Sequence, residues 1–111
     1  MKSYTDLEQS RKLTEILPLE SADMCYIEDK PNIGFLYEEY KEFGDTILQN
    51  YYPCWSLAAL ISIIPYGCLT IHVQKKYRVV YNPNIITKGD YDNPVDACYE
   101  MIIKLHELNL L

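Results

Sequence analysis

The sequence predicts an α+β fold: a small antiparallel sheet of two or three strands packed with about three helices, in the order α-β-α-β-β-α. Three observations predict it. Apolar residues recur at helical spacing near both ends of the chain, a proline-bracketed apolar segment lies between them, and apolar and polar residues alternate from Cys68 to Asn82. The 111 residues are read as a single domain, 1–111, long enough to bury ~65% of its unfolded surface in one core.

The first helix is expected over Asp6–Leu17. Thr5 and Glu8 have capping-box spacing, Leu7, Leu13, Ile16 and Leu17 give an apolar face, and Pro18 stops the run. Ala22–Ile27 is a short apolar run that reads as a strand. Asp29-Lys30-Pro31-Asn32 has the composition of a turn. Within 28–50, Phe35–Phe43 reads either as a short helix ended by Gly44 or as part of a long ordered loop.

Pro53 to Pro65 brackets a segment whose only polar members are Ser56 and Ser62. Its interior, 54–64, would make a helix of about 16 Å, roughly half of what a bilayer core requires, so a buried helix reaching toward a protein interface is expected. In Cys68–Asn82, Leu69, Ile71 and Val73 alternate with Thr70, His72 and Gln74, and Tyr77, Val79 and Tyr81 follow the same period, which predicts a β-hairpin. Gln74-Lys75-Lys76 lacks the Gly or Asn of a strong two-residue turn, so a longer connection is equally compatible. Pro83-Asn84 closes the second strand, and 87–93 is a polar loop.

The last helix, over Asp92–Leu108, carries the fullest signature. Asn93 or Asp92 caps it, Pro94 suits the first helical position, and Asp96 favours the positive end of the dipole. Asp96, Glu100, Lys104 and Glu107 fall on one narrow charged stripe, and the remaining faces are apolar or aromatic. Such a helix is enclosed by several neighbours.

Composition excludes more than it assigns. The formal charge of −6 opposes a general nucleic-acid binder. Eleven tyrosines against two phenylalanines and one tryptophan suit half-buried positions or partner-facing surface. Cys25, Cys54, Cys68 and Cys98 lie apart among apolar neighbours and read as reduced, buried thiols. With no signal-peptide pattern and no Asn-x-Ser/Thr acceptor, the expected location is cytoplasmic.

No catalytic, cofactor-binding or metal-ligating set assembles from the sequence. His72 and His106 lie on different elements with no Cys-x-x-Cys, so no metal centre is expected, and His106 suits a helix C-terminus. Cys68 and His72 share a strand but stand about 13 Å apart along it, too far for a dyad. Gly34, Gly44, Gly67 and Gly89 form no phosphate cradle. Glu38, Glu39, Glu42 and Asp45 read as a solvated face, and Lys75-Lys76-Tyr77-Arg78 as a charged hairpin tip.

Leu7-Glu8-Gln9-Ser10-Arg11-Lys12-Leu13, Ser21-Ala22-Asp23-Met24, Tyr52-Pro53-Cys54-Trp55-Ser56-Leu57 and Asp92-Asn93-Pro94-Val95-Asp96-Ala97 carry a resemblance. In these motifs the chain resembles a family of small, uncharacterised bacterial proteins associated with prophages and mobile elements. The resemblance covers nearly the whole chain, implies a bacterial, intracellular and phage-derived protein, and supplies no activity. The expected function is therefore a non-catalytic protein-interaction module. The expected partner is a protein, with no nucleic acid, membrane or cofactor, and with a homo-oligomer left open. An acidic nucleic-acid-mimicking inhibitor and a subunit of an enzyme whose site forms only in a complex are the alternatives. As structural positions, the same motifs predict helix starts at Pro53 and Pro94 and a buried anchor at Trp55.

Overall fold

The computed structural model describes residues 2–27, 30–33, 51–64, 69–73, 76–82, 84–87 and 91–111. They form an α+β structure with two antiparallel three-stranded sheets, so the strands are divided between two sheets. Contacts group the chain into two compact units, Tyr4–Ala59 and Met1–Ser3 with Leu60–Leu111. The expectations for Phe35–Phe43 and Gly44 lie outside the described residues.

In the first unit, α1 spans Leu7–Ile16 and ends where Leu17, held extended ahead of Pro18, can no longer continue the helix. The capping box is shifted by one residue from the expected Thr5–Glu8 pair. Asp6 accepts from the Gln9 N–H at 2.8 Å, and the Gln9 side chain accepts from the Asp6 N–H at 3.1 Å. Thr5 is buried and committed elsewhere, and an exposed Asp is the stronger cap.

A 3-10 turn at Leu19–Ser21 leads to β1, Met24–Ile27, at the centre of the first sheet. β2, Lys30–Ile33, and β3, Tyr51–Cys54, flank it antiparallel. The turn expected over Asp29–Asn32 is corrected for Lys30–Asn32, which pair with β1 as strand, while Asp29 lies outside the described residues. Pro31 is tolerated there because, among the described residues, β2 is an edge strand. Met24, Tyr26 and Cys54 form a buried cluster on one face, with Tyr4, Leu7 and Tyr52 packed against it. Arg11 sits 5.1 Å from the centre of the Tyr52 ring, and Tyr4 meets Tyr26 edge to face.

Helix α2 spans Leu57–Ile63, and the expected start at Pro53 is corrected. Pro53 and Cys54 belong to the β1–β3 ladder, opposite Cys25 and Met24. Ser56 is the cap, its Oγ accepting the Ala59 N–H at 3.2 Å. Nor is α2 buried all round. Leu60 is buried, as is Ile64 just after the helix, but Ala58 and Ser62 are exposed and Ile61 is 52% exposed.

The second unit contains the expected hairpin. β4, Leu69–Val73, pairs with β5, Lys76–Asn82, and the register ends at Val73 opposite Lys76, so only two residues connect them. A short third strand, β6 at Ile85–Ile86, follows. Sequence periodicity misses β6 because it has two residues. The Asn82 side chain makes its turn, accepting from the N–H groups of Asn84 and Ile85 at 2.8 and 3.0 Å. Tyr91 then bridges back to Tyr77 through reciprocal backbone bonds of 2.7 and 3.0 Å.

Helix α3 spans Pro94–Glu107, capped by Asn93, which accepts the Asp96 N–H at 2.9 Å. It packs on β5 and buries Val95, Ala97, Cys98, Met101, Ile102 and Leu105. Glu100 and Glu107 are exposed and Asp96 and Lys104 half-buried, as the charged stripe predicts. Lys104 donates to the Ile86 carbonyl at 2.8 Å, and Lys2 pairs with Asp96 at 2.8 Å. Asn109, at φ 57, ends the helix. Its N–H bonds to the His106 carbonyl and that of Leu110 to the Leu105 carbonyl, a left-handed cap that Asn adopts more readily than most residues.

Candidate functional site

Among the described residues a dense set of chemistry-bearing side chains gathers around Thr5, in the stretch between residue 4 and α1. Tyr4 bridges to Ser56, and the Thr5 N–H donates to the Trp55 carbonyl at 2.9 Å, laying this stretch beside the chain that leaves β3. The Thr5 hydroxyl is fully buried. It lies 2.8 Å from Ser10 Oγ, 3.6 Å from Cys54 Sγ and 3.1 Å from the Trp55 backbone N. A hydroxyl has one proton and two lone pairs. Every group is satisfied when Thr5 donates to Cys54 and accepts from Ser10 and from the Trp55 N–H. The Thr5 carbonyl accepts twice more, from Tyr26 OH at 2.7 Å and from Cys54 Sγ at 3.4 Å.

Burial pushes the Cys54 thiol above its ordinary range, with the Asp23 charge adding to the effect, while hydrogen bonds from Thr5, Ser10 and Tyr26 oppose it. The Tyr26 hydroxyl is also raised, first by burial and then by the charges it would face at Cys54, Tyr4 and Asp6. Both groups therefore stay protonated at neutral pH and act as hydrogen-bond donors. A cysteine nucleophile needs an accessible thiolate and a base. Cys54 is fully buried among hydroxyls and a carbonyl, and the arrangement ties chain segments together.

A second polar group adjoins it in sequence. Asp23 accepts from the Ser56 N–H at 2.9 Å and from the Ser56 hydroxyl, while Ser56 caps α2. The exposed carboxylate thus anchors the cap. Trp55 is fully buried, as expected of an anchor, and its indole N–H donates to Ser21 Oγ at 2.9 Å. Ser21 in turn donates to the Pro18 carbonyl at 2.6 Å.

Cys68 and Lys75 lie outside the described residues, and of His72 only the backbone, in β4, is described. His106 is exposed in the last turn of α3, where a cation suits the dipole. Lys76 pairs with Asp92, and Arg78 is exposed. Cys25, Cys54 and Cys98 are buried thiols rather than disulfides, as expected. Tyr91 is raised by burial and by the nearby Glu100 and Asp96.

Among the described residues no three His, Cys, Asp or Glu side chains gather as a metal site. None of their helices is long and apolar enough to cross a membrane. Sequence reasoning missed the Thr5 cluster because Thr5 and Ser10 occupy positions that also suit a cap and a solvated helix face. The one available signal was the small polar Ser10 at the centre of the apolar stripe of α1, three residues from both Leu7 and Leu13. Comparison with known proteins finds no matching family model, no matching curated protein and no matching solved structure.

Proposed function

We propose that this chain is a non-catalytic protein-interaction module of phage or mobile-element origin. The observation that carries the interaction reading is an apolar surface after α3: Leu108, Leu110 and Leu111 are 48%, 41% and 46% exposed, three leucines within four residues. Clustered exposed leucines favour contact with another apolar surface over contact with water, at about 25 cal/mol per Å² covered. The buried nucleophile-type groups point the same way, since the Thr5–Cys54 cluster is occupied in holding β3 and the stretch before α1. The phage or mobile-element origin rests on the motif resemblance in the sequence.

The test is affinity capture from a bacterial host lysate, read by mass spectrometry, with the wild type beside a Leu108→Ser/Leu110→Ser/Leu111→Ser variant of matched thermal stability. The expected result is a specific protein retained by the wild type and lost from the variant. A captured protein held equally by both places the interaction elsewhere and removes the observation the proposal stands on. Turnover by the chain itself, insensitive to these substitutions, would replace it with an enzymatic reading.

A further inference from the structure

We propose that the outward face of α3, with the leucine tail that follows it, docks a basic amphipathic helix of a protein partner. The inference rests on the interaction reading above and names the chemistry of that partner. Leu108, Leu110 and Leu111 supply exposed apolar area, and the cap shapes it. The Leu110 N–H bonds back to the Leu105 carbonyl, which turns the tail over the last turn of α3. Further up the same helix stand Tyr99 and Ile103, half-buried and four residues apart, so that one lies above the other. Leucines by themselves fit any apolar surface. The charges beside them select among the candidates.

Lys104 turns its ammonium to the Ile86 carbonyl, 2.8 Å away, and Asp96 is paired to Lys2. Both are half-buried, which leaves Glu100 and Glu107 as the exposed formal charges of α3, on the side that carries Ile103. Nucleic acid and an anionic bilayer surface would meet like charge there, and a second copy of this chain, at net −6, is repelled at long range. A basic protein segment meets opposite charge. The spacing of the two glutamates favours a helix: seven residues place them about 10.5 Å apart along the axis, the interval of lysines or arginines two turns apart on a facing helix. The apolar stripe of that helix would then cover Ile103, Tyr99 and the leucine tail.

The probes are two labelled synthetic peptides of about three heptads with identical leucine spacing, one with lysines on its polar face and one with glutamates. The lysine peptide should bind the full chain and the glutamate peptide should not. Binding should weaken as salt rises, and by about tenfold in Glu100→Lys/Glu107→Lys. Glu15→Lys/Glu20→Lys makes the same change of net charge at two other exposed positions and should alter binding by no more than about twofold. The Leu108→Ser/Leu110→Ser/Leu111→Ser variant should lose it. Where the α3 lysine pair fails to fold, Glu100→Gln/Glu107→Gln replaces it, with a loss of about threefold. Equal weakening by the two charge-reversed pairs, equal binding of the two peptides, salt-independent binding, full binding by the leucine variant, or no binding of either peptide overturns the proposal. In the lysate capture, a protein lost from the leucine variant but kept by Glu100→Lys/Glu107→Lys also overturns it, and leaves the interaction reading standing.

Discussion

In the Tyr4–Ala59 unit the stretch before α1 is tied to the end of β3 through polar atoms around Thr5. In the unit that includes Leu60–Leu111, α3 lies on β5 through a nearly unbroken apolar face. The first arrangement depends on direction: each hydrogen bond has one geometry, and a buried group that loses its partner costs about 1–3 kcal/mol. The second depends on volume and dryness, each large side chain contributing about 1.5–3 kcal/mol on burial. The difference teaches that burial is no guide to which force holds a segment. Thr5 and Ile102 are equally inaccessible, yet one is held by partners and the other by neighbours.

The comparison is most easily broken at Ile102. It is fully buried on the face of α3 opposite the charged stripe, so Ile102→Asp should cost more than ~4 kcal/mol, a large fraction of an ordinary domain's stability. A chemical denaturation midpoint close to the wild type's would mean that this face is not the sealed one.

Next in size is Thr5→Val, which keeps the shape and deletes the hydroxyl. It strands the Trp55 N–H and the Ser10 hydroxyl in a buried site, and a loss of roughly 2–4 kcal/mol is expected. The equivalent hydroxyl deletion at Thr14, whose Oγ1 donates to the carbonyl of Ser10, should cost far less because that site is half-buried. Equal losses at the two positions would remove the special standing given to Thr5.

Alkaline pH probes the polar network of the first unit. Cys54 and Tyr26 are raised in the folded chain, so the folded state holds their protons more tightly than the unfolded state does. Their contribution is fully present below the ordinary thiol range, near pH 8.5, and falls as pH rises through the higher folded values. Denaturation followed from neutral pH upward should therefore show declining stability, with a shallower decline in Cys54→Ala, which has no thiol to ionise. Identical slopes for the two proteins would show that Cys54 is not held protonated by folding.

The smallest effect is expected at Glu100, exposed on the stripe of α3. Glu100→Gln should change stability by no more than ~0.5 kcal/mol. It should also bring the Tyr91 hydroxyl closer to its ordinary range, because Glu100 is, after burial, the next cause of its rise. An unmoved Tyr91 titration would show that Glu100 has no part in it.

Where elements declare themselves locally, the chain was legible. Pro18, Asn93 with Pro94, the spacing of Asp96, Glu100, Lys104 and Glu107, and the alternation through Leu69–Val73 and Tyr77–Tyr81 each state a backbone preference or a periodicity within a few residues. The α+β class and the broad buried face of α3 follow from those signals. Asn109, which ends α3 in the left-handed region, lay beyond them because no glycine marked the stop.

The rest was decided by partners distant in sequence. Nothing local says that Pro53 and Cys54 are strand, since proline also suits a helix start; the antiparallel register with Met24 and Cys25 settles it. Nothing local makes Thr5 a buried hub and passes the cap to Asp6. That depends on Trp55, fifty residues away, offering an N–H that the Thr5 hydroxyl accepts. Periodicity records which face of a segment avoids water, because avoidance is a property of each side chain. Hydrogen-bond partnership belongs to pairs, and only the folded chain brings the second member into reach.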